Sequence, residues 1–146
     1  MNKVFFYNAD VPFVLKNKQF LKSGIEDLFK REKQGLQRIN YIFCSDDYLL
    51  RINQNYLKHN TLTDVISFYL SEETAPVFGE VYISTQRIKY NAITFNVPYY
   101  EEIVRVVIHG ALHLCGYADK NKHEIIIMRS KEKFYLKKFK FHVKAQ

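Results

Sequence analysis

The sequence predicts an α+β fold, with a mixed sheet of about four strands and about five helices. Short β-rich segments alternate along the chain with segments whose apolar residues recur at helical spacing. No internal repeat or low-complexity linker divides the 146 residues. A chain of this length, 47% of it hydrophobic, can bury one core. We therefore expect residues 1–146 to form a single domain.

The first half of the chain predicts two strands and two helices. "KVFFYN" is rich in β-formers, and "QRINYIFCS" (37–45) alternates apolar and polar residues as a second strand does. Between these segments, residues 17–33 carry an apolar stripe that is typical of a helix. Ser45 and Asp46 offer an N-cap for a second helix over residues 47–57.

The second half predicts two strands and three helices. "TDVISFYL" is β-rich, Gly79 precedes the strand "EVYIS", and "TQRIKYNAI" is typical of a short helix. Asn96 and Pro98 then open a largely buried helix that stops at Gly116. An N-x-x-E pattern at residues 121–124 indicates a capping box at the start of the last helix.

Positive charge is concentrated near the C-terminus. The formal net charge is +7 at pH 7, and residues 129–146 contain Arg129 and six lysines against one glutamate. A basic surface of this kind attracts phosphate groups, so Lys137, Lys138 and Lys140 are candidate RNA contacts. The alternative interpretation is a solvated helix face without a ligand.

Two properties concern the location of the protein in the cell. Cys44 and Cys115 are its only cysteines and both have apolar neighbours, so we expect reduced thiols in a cytoplasmic protein. No apolar run approaches the ~20 residues of a membrane span, and the first residues lack the pattern of a signal peptide. We therefore expect no membrane partner.

His109 and His113 are the first candidate metal ligands. Positions four apart share one face of a helix, so both imidazoles can reach one ion, as in helix-borne zinc sites. Two hydrogen-bonded core histidines are the alternative. Gly110 stands where an H-E-x-x-H peptidase carries its catalytic glutamate, which disfavours peptide hydrolysis by that route. A glycine there also lets another segment approach the helix closely.

A catalytic zinc ion needs three protein ligands and an open position, so a third ligand must be found. Cys115 lies two residues past His113 and faces roughly the opposite side of the helix. Asp119 follows the turn at Gly116, where the chain can fold back over the site. His123 is the more usual type of zinc ligand, but the last helix would already carry it away. Asp119 is therefore preferred, with His123 as the alternative.

The segment "HGALHLCGYADK" resembles the signature of the YbeY family, H-G-x-L-H-L-x-G-Y-D-H. Three further segments are similar to family motifs in the same order: "INQNYL" to L-N-x-x-Y-R, "TLTDVISF" to P-T-[DN]-V-L-S-F, and "FGEVYIS" to L-G-D-[IV]-x-I. Glu124 and Met128 fit the acidic helix that follows the family's metal motif. The similarity covers most of the chain.

Resemblance to this family implies a metallohydrolase domain that cuts single-stranded RNA endonucleolytically. It implies one zinc ion per chain, or another divalent metal, with ribosomal RNA and the small ribosomal subunit as partners. The implied role is maturation of the 16S ribosomal RNA 3′ end and ribosome quality control. Asp64 and Ser67 fall in the strand similar to the family's cleft wall. A role in the cleft and a structural role, in capping or backbone hydrogen bonding, are equally open to them.

The sequence departs from the family at two positions. The family's third ligand is a histidine, whereas the matching residue is Asp119; a carboxylate still binds zinc, but it makes the site less electrophilic and favours harder cations. The family's cleft arginine falls on Leu57. Lys58 and His59 are its nearest replacements and the candidates for a catalytic role, although a surface turn explains them as well. The Leu57 departure supports an alternative function, a ribosome-associated RNA-binding factor that keeps a structural metal.

Overall fold

The protein contains four strands and five helices within the residues that the structure describes. The structure is a computed structural model that describes residues 2–56 and 64–145, and of residues 56 and 140–145 only the backbone. In chain order the elements are β1 (Val4–Asn8), α1 (Lys18–Arg31), β2 (Leu36–Cys44), α2 (Asp46–Tyr56), β3 (Val65–Tyr69), β4 (Val77–Ser84), α3 (Thr85–Phe95), α4 (Tyr99–Leu114) and α5 (Lys122–Ala145). The α+β prediction is confirmed.

The strands form one mixed sheet in the order β1-β2-β4-β3. β1 and β4 both lie parallel to β2, whereas β3 lies antiparallel to β4. The register places Tyr41 of β2 and Ser67 of β3 on either side of Val81 in β4. The short strand β3 is therefore one edge of the sheet.

Helices cover the sheet on both faces. On one face α1, α4 and α5 build the larger hydrophobic cluster, which includes Tyr41; its hydroxyl donates to the carbonyl oxygen of Val107 in α4 at 2.8 Å. Side chains alternate between the faces of a strand, so the neighbouring positions face α2. The smaller cluster on that side consists of Cys44, Leu49, Ile52 and Ile66.

Two glycines allow α4 to lie close against the sheet. A Cβ atom at Gly110 would come within 2.5 Å of Val81 Cγ1. At Gly79, a Cβ atom would come within 2.7 Å of both methyl groups of Leu114. The close approach predicted at Gly110 is thus confirmed, and it holds the histidine-bearing end of α4 against β4.

The end of α4 is a left-handed turn at Gly116, whose φ is 104°. The N–H of Gly116 donates to the carbonyl of His113 at 3.0 Å, and the N–H of Tyr117 donates to the carbonyl of Leu112 at 3.1 Å. This pair of hydrogen bonds is the Schellman motif, which glycine favours because it has no Cβ to clash at positive φ. The predicted stop is confirmed, and it redirects the chain over the helix end.

The N-caps that the sequence predicts are also present. Ser45 Oγ accepts from the N–H of Tyr48 at 3.1 Å at the start of α2. Before α5, the N–H of Glu124 donates to Asn121 Oδ1 at 2.9 Å, and the N–H of Asn121 donates to Glu124 Oε1 at 3.2 Å. The second pair is a reciprocal capping box.

Two boundaries differ from the sequence prediction. Asn96 does not open α4 but ends α3, in a left-handed conformation with φ 54°, which asparagine tolerates better than most residues. α4 begins only after Pro98. Gly79 does not precede its strand but lies inside it, because β4 begins at Val77.

The structure also describes the two cysteines and the length of the helices. Cys44 and Cys115 are both free thiols, and burial raises the pKa of each to about 12. Within the described parts of the chain, no helix combines the length and the hydropathy needed to cross a bilayer.

Candidate metal centre

His109 and His113 lie one turn apart near the end of α4. Their ring centroids are 4.5 Å apart, and their Nε2 atoms are 3.0 Å apart. Both side chains are mostly buried, with 12% and 24% of their surface exposed. The two imidazoles therefore point toward one common position, as their spacing on a helix predicts.

Asp119 joins the histidine pair from the loop between α4 and α5. Its Oδ2 lies 3.3 Å from Nε2 of His109 and 3.3 Å from Nε2 of His113. Among the described residues, this is the one group of three histidine, cysteine or acidic side chains close enough together to hold a metal ion. His123, the alternative third ligand, is exposed in the first turn of α5 and is not part of the group.

The hydrogen-bond partners of the two Nδ1 atoms, the outer ring nitrogens, determine which nitrogens of the imidazoles carry hydrogen. His109 Nδ1 lies 2.6 Å from Glu132 Oε2, and His113 Nδ1 lies 2.8 Å from the carbonyl oxygen of Tyr117. A carboxylate and a carbonyl only accept hydrogen bonds, so each Nδ1 carries a hydrogen and donates it. Both Nε2 atoms of the neutral rings are then acceptors, and they face the acceptor Oδ2 of Asp119. Three acceptors this close together require a cation.

A proton on one ring is the competing way to supply that cation. Burial lowers the pKa of His113 below its usual value, and the neighbouring His109 lowers it further, whereas Asp119 acts in the opposite direction. A protonated His113 is therefore disfavoured at neutral pH.

The separations within the cluster suit a small divalent ion. Two ligand atoms bound at 2.0–2.1 Å with tetrahedral angles lie about 3.3–3.4 Å apart, compared with 3.0, 3.3 and 3.3 Å here. Two imidazoles and one carboxylate are common donors for zinc and for other divalent transition metals. Asp119 is 38% exposed, so these three side chains leave a side of the site open.

Glu132 of α5 lies behind His109 and is almost completely buried, with 2% of its surface exposed. Its Oε1 accepts hydrogen bonds from Arg105 Nη1 and Arg129 Nη1, each at 3.2 Å. Burial alone would raise the pKa of Glu132, but the hydrogen bond from His109 and the charge of Arg105 outweigh it and hold that pKa below its usual value. The carboxyl group is therefore ionised at neutral pH.

Arg105 connects Glu132 to two further carboxylates. Its Nη2 lies 2.7 Å from Glu102 Oε2 and 3.3 Å from Asp64 Oδ2. Burial would lower the pKa of Arg105, but the hydrogen bond to Glu102 and the charge of Glu132 raise it. Because Asp64 immediately precedes β3, this guanidinium ties α4 to α5 and to the edge of the sheet.

The sum of the charges around the histidines is negative and equals the charge that one divalent cation would balance. With both histidines neutral, four carboxylates stand against two guanidinium groups, and two negative charges remain. The six side chains are Asp64, Glu102, Asp119, Glu132, Arg105 and Arg129. A 2+ ion between the three ligand atoms would neutralise the whole group.

The His113 side of the cluster is held by different residues. The Tyr117 hydroxyl donates to Glu32 Oε1 at 2.6 Å, and the Tyr135 hydroxyl and Lys131 Nζ donate to Oε2, the latter at 3.2 Å. Burial would raise the pKa of Glu32, but the hydrogen bonds from both tyrosines and from Lys131 lower it overall. The loop that carries Tyr117 is thereby anchored to the end of α1.

The catalytic candidates Lys58 and His59, and Leu57 before them, lie outside the described residues. Asp64 pairs with Arg105 and accepts a hydrogen bond from Asn91 Nδ2 at 3.2 Å. Ser67 Oγ is buried and makes no hydrogen bond within the described part of the chain.

The candidate RNA contacts lie in the second half of α5. Lys137 and Lys138 are exposed, and Lys138 Nζ lies 5.4 Å from the ring centroid of Phe134. Lys140 belongs to α5, but its side chain is outside the described residues. The two exposed ammonium groups are available to phosphates.

Sequence reasoning missed the charged residues behind the histidines, although a signal for them exists. Glu102 and Arg105 precede His109 at spacings of seven and four, which places all three on one face of an otherwise apolar helix. Glu132 stands four residues after the buried Met128, where a helical stripe would continue with an apolar residue. Charged residues at stripe positions indicate buried ion pairs.

Comparison with known proteins gives consistent similarities. Residues 11–140 match the sequence model of the family described as Endoribonuclease YbeY. A relative from Flavobacterium psychrophilum named Endoribonuclease YbeY is 46% identical over 140 residues, which cover 94% of this chain and 96% of the relative. A relative of the same name from Amoebophilus asiaticus is 39% identical over 133 residues, with coverages of 91% and 90%.

A solved structure also resembles this fold. The solution structure of TM1509 from Thermotoga maritima superimposes with a TM-score of 0.62 at 30% sequence identity. The match covers 97% of this chain and 92% of that one. The similarity in sequence and the similarity in structure therefore both extend over nearly the full length.

Proposed function

This chain belongs to the endoribonuclease YbeY family, and from that premise we propose that it is a metal-dependent endoribonuclease specific for single-stranded RNA. Its proposed cofactor is one zinc ion per chain, with His109, His113 and Asp119 as ligands. The proposed role is maturation of the 16S ribosomal RNA 3′ end and ribosome quality control. The whole chain acts as one domain, in the cytoplasm, on the small ribosomal subunit.

The convergence of three acceptor atoms is the observation that most strongly supports this function. Nε2 of His109, Nε2 of His113 and Oδ2 of Asp119 lie within 3.3 Å of one another, and Asp119 leaves one side open. A divalent ion held there by these three side chains would supply Lewis-acid chemistry, which would polarise a phosphodiester toward nucleophilic attack. The open side offers the RNA backbone a route to this position.

The residues of the chain favour phosphodiester over peptide hydrolysis. His109 and His113 present bare Nε2 atoms because each Nδ1 hydrogen is already donated elsewhere. At Gly110, where an H-E-x-x-H peptidase has its general base, the backbone packs on Val81 and no carboxylate is available. RNA cleavage does not depend on a carboxylate at that position.

The distribution of charge supports RNA as the substrate. The formal net charge is +7, and Lys137 and Lys138 are exposed on α5. Exposed lysines bind phosphates without reading the base sequence. Such contacts would hold an RNA strand on the protein while one of its phosphodiesters occupies the metal site.

Cleavage of labelled RNA by the purified full-length chain tests this function. We expect endonucleolytic fragments from a single strand and few from the corresponding duplex. Cleavage should stop on chelation and return when zinc is added. His113→Ala should reduce cleavage to the chelated level, whereas His123→Ala, a change at an exposed histidine outside the cluster, should retain it.

Other outcomes would assign a different function. If the wild-type chain carries metal by elemental analysis but cuts no RNA, the nuclease function is contradicted and an RNA-binding factor with a structural metal is favoured. Casein hydrolysis with the same metal dependence would favour a metalloprotease. For the cellular role, we expect 16S ribosomal RNA with unprocessed 3′ ends to accumulate in cells that lack this chain.

A further inference from the structure

We propose that Glu132 is a positioning residue for His109, and that Arg105 holds Glu132 in the place where it performs this task. This role presupposes the metal site proposed above. Neither side chain is a ligand. Both help to fix the direction in which the Nε2 lone pair of His109 points, as the outer hydrogen-bond partners of metal-bound histidines do.

The contact between Glu132 and His109 sets the tautomer of the ring. The Nδ1–Oε2 distance is 2.6 Å, and the ionised carboxylate can only accept, so the hydrogen resides on Nδ1. The tautomer of a histidine follows the partner of its other nitrogen. Without Glu132 the ring could carry its hydrogen on Nε2, the atom that must bind the ion, and could turn about its side-chain torsions.

Glu132 is itself immobilised on its other oxygen. Oε1 accepts from Arg105 Nη1 and from Arg129 Nη1, each at 3.2 Å, while Oε2 serves His109. With 2% of the residue exposed, water does not compete for either oxygen. The carboxylate therefore cannot rotate away from the imidazole without losing hydrogen bonds to charged groups.

Arg105 is the stronger of the two anchors. Its side chain is 16% exposed, whereas that of Arg129 is 56% exposed and contributes less, because water screens the pair. Arg105 is also held by Glu102 at 2.7 Å and by Asp64 at 3.3 Å. Glu132 is thus fixed to a guanidinium that is fixed in turn to its own helix and to the start of β3.

An ordinary buried ion pair between α4 and α5 is the alternative role for Glu132. The two roles differ in what they affect. Loss of an ion pair lowers the stability of the metal-free protein but does not change the orientation of the His109 ring. Loss of a positioning residue lowers metal affinity and changes the tautomer of His109, whatever happens to stability.

Zinc affinity is the first measurement, made on the full-length chain by competition with a chromophoric chelator. We expect Glu132→Ala to weaken binding by about 10–100-fold, the range found when outer partners of a zinc ligand are removed. Glu132→Gln should also weaken it, because the amide has one acceptor oxygen where the carboxylate accepts from His109, Arg105 and Arg129. Arg105→Lys should stay within several-fold of wild type, as one ammonium can still pair with Glu132.

Asp46→Asn is the matched control. Asp46 accepts a hydrogen bond from Ser84 Oγ at 2.6 Å and pairs with Arg87 at 3.2 Å, so it is a carboxylate with a guanidinium partner, as Glu132 is. It belongs to α2, on the face of the sheet opposite α4, and contacts neither histidine in the described structure. We expect its zinc affinity to equal that of the wild type.

Nitrogen-15 NMR of the histidine rings is the second measurement, made without metal. We expect the Nδ1–H tautomer of His109 in the wild type and a substantial Nε2–H population in Glu132→Ala. A merely structural role would leave this ratio unchanged. If Glu132→Ala does not fold, Glu132→Gln provides the affinity data, since it keeps the size of the original side chain.

Wild-type zinc affinity in both Glu132 variants, with an unchanged His109 tautomer, would overturn the positioning role even if thermal stability falls. Absence of metal binding by the wild type would instead contradict the proposed function. In that case the tautomer populations, measured on the metal-free protein, would still decide whether Glu132 orients His109.

Discussion

The two histidines of the candidate site sit on one helix, but their outer ring nitrogens are held by different parts of the molecule. On the His109 side the acceptor is the buried carboxylate of Glu132, which belongs to α5. On the His113 side it is the backbone carbonyl of Tyr117, four residues further along the chain. One side is therefore assembled by packing between two helices and the other by a local turn.

This difference shows which changes each side tolerates. A carboxylate can be removed by substitution, whereas a carbonyl can only be displaced by changing the backbone. The backbone at Tyr117 is set by the Schellman turn at Gly116, and the Tyr117 hydroxyl adds a tether to Glu32. We therefore expect the His109 side to be sensitive to changes in distant side chains, and the His113 side to be sensitive to changes in the turn.

Removal of either histidine should have the largest effect and should remove the difference between the two sides. The loss of a metal ligand lowers metal affinity more than the loss of a hydrogen-bond partner of that ligand. We expect His109→Ala and His113→Ala to lose bound metal equally, to a level undetectable by elemental analysis after dialysis. Asp119→Ala should behave in the same way if it is the third ligand. Retention of metal by Asp119→Ala together with loss in His123→Ala would show that the third ligand has been misassigned.

Substitution of the turn glycine should affect mainly the His113 side. In Gly116→Ala a Cβ meets no atom within 4 Å, but φ is 104°, so the strain is in the backbone and should lower the free energy of unfolding by about 1–2 kcal/mol. Metal affinity should fall as well, because Tyr117 and Asp119 both follow this turn.

Gly35→Ala is a suitable control for the turn substitution. The nearest atom to an added Cβ there is Pro76 Cβ at 3.6 Å, an ordinary contact. Chemical denaturation and zinc titration of both variants would check the expectation. An unchanged zinc affinity in Gly116→Ala would mean that the turn does not position the His113 side.

Acid should weaken the tether on the His113 side. The folded protein holds the pKa of Glu32 below its ordinary value of 4.5, so its contribution to stability is present above that value and is lost as the pH falls through the lower folded pKa. Glu32→Gln should therefore show a shallower loss of unfolding free energy below pH 4.5 than the wild type, in denaturation measured without metal. Parallel acid limbs would contradict a role for Glu32 in this pH range.

Charge reversal on the exposed part of α5 should leave both sides of the site unchanged. Lys137→Glu and Lys138→Glu alter the helix that carries Glu132, but at solvent-facing positions. We expect unaltered zinc affinity, weaker RNA binding, and a slope of log affinity against log salt reduced by roughly 0.7 for each lost phosphate contact. An unchanged slope would show that these lysines are only solvated.

Local patterns in the sequence were sufficient to predict most of the secondary structure. The nine elements of the described residues, the turn at Gly116 and the capping box at Asn121 all follow from periodicity and from residues with strong backbone preferences. The boundary at Asn96 was wrong because asparagine serves both as an N-cap and as a left-handed C-cap, and its neighbours did not distinguish the two.

The sequence by itself determined that His109 and His113 share a face and that Asp119 follows a turn, because hydrogen bonds within a few residues define both. Only the tertiary structure decided which charged groups meet them. Glu132 is 23 residues from His109, Arg105 is 41 from Asp64, and Glu32 is 85 from Tyr117. Such pairings depend on how the helices pack on the sheet, and that packing is the sum of many weak apolar contacts with no local signature.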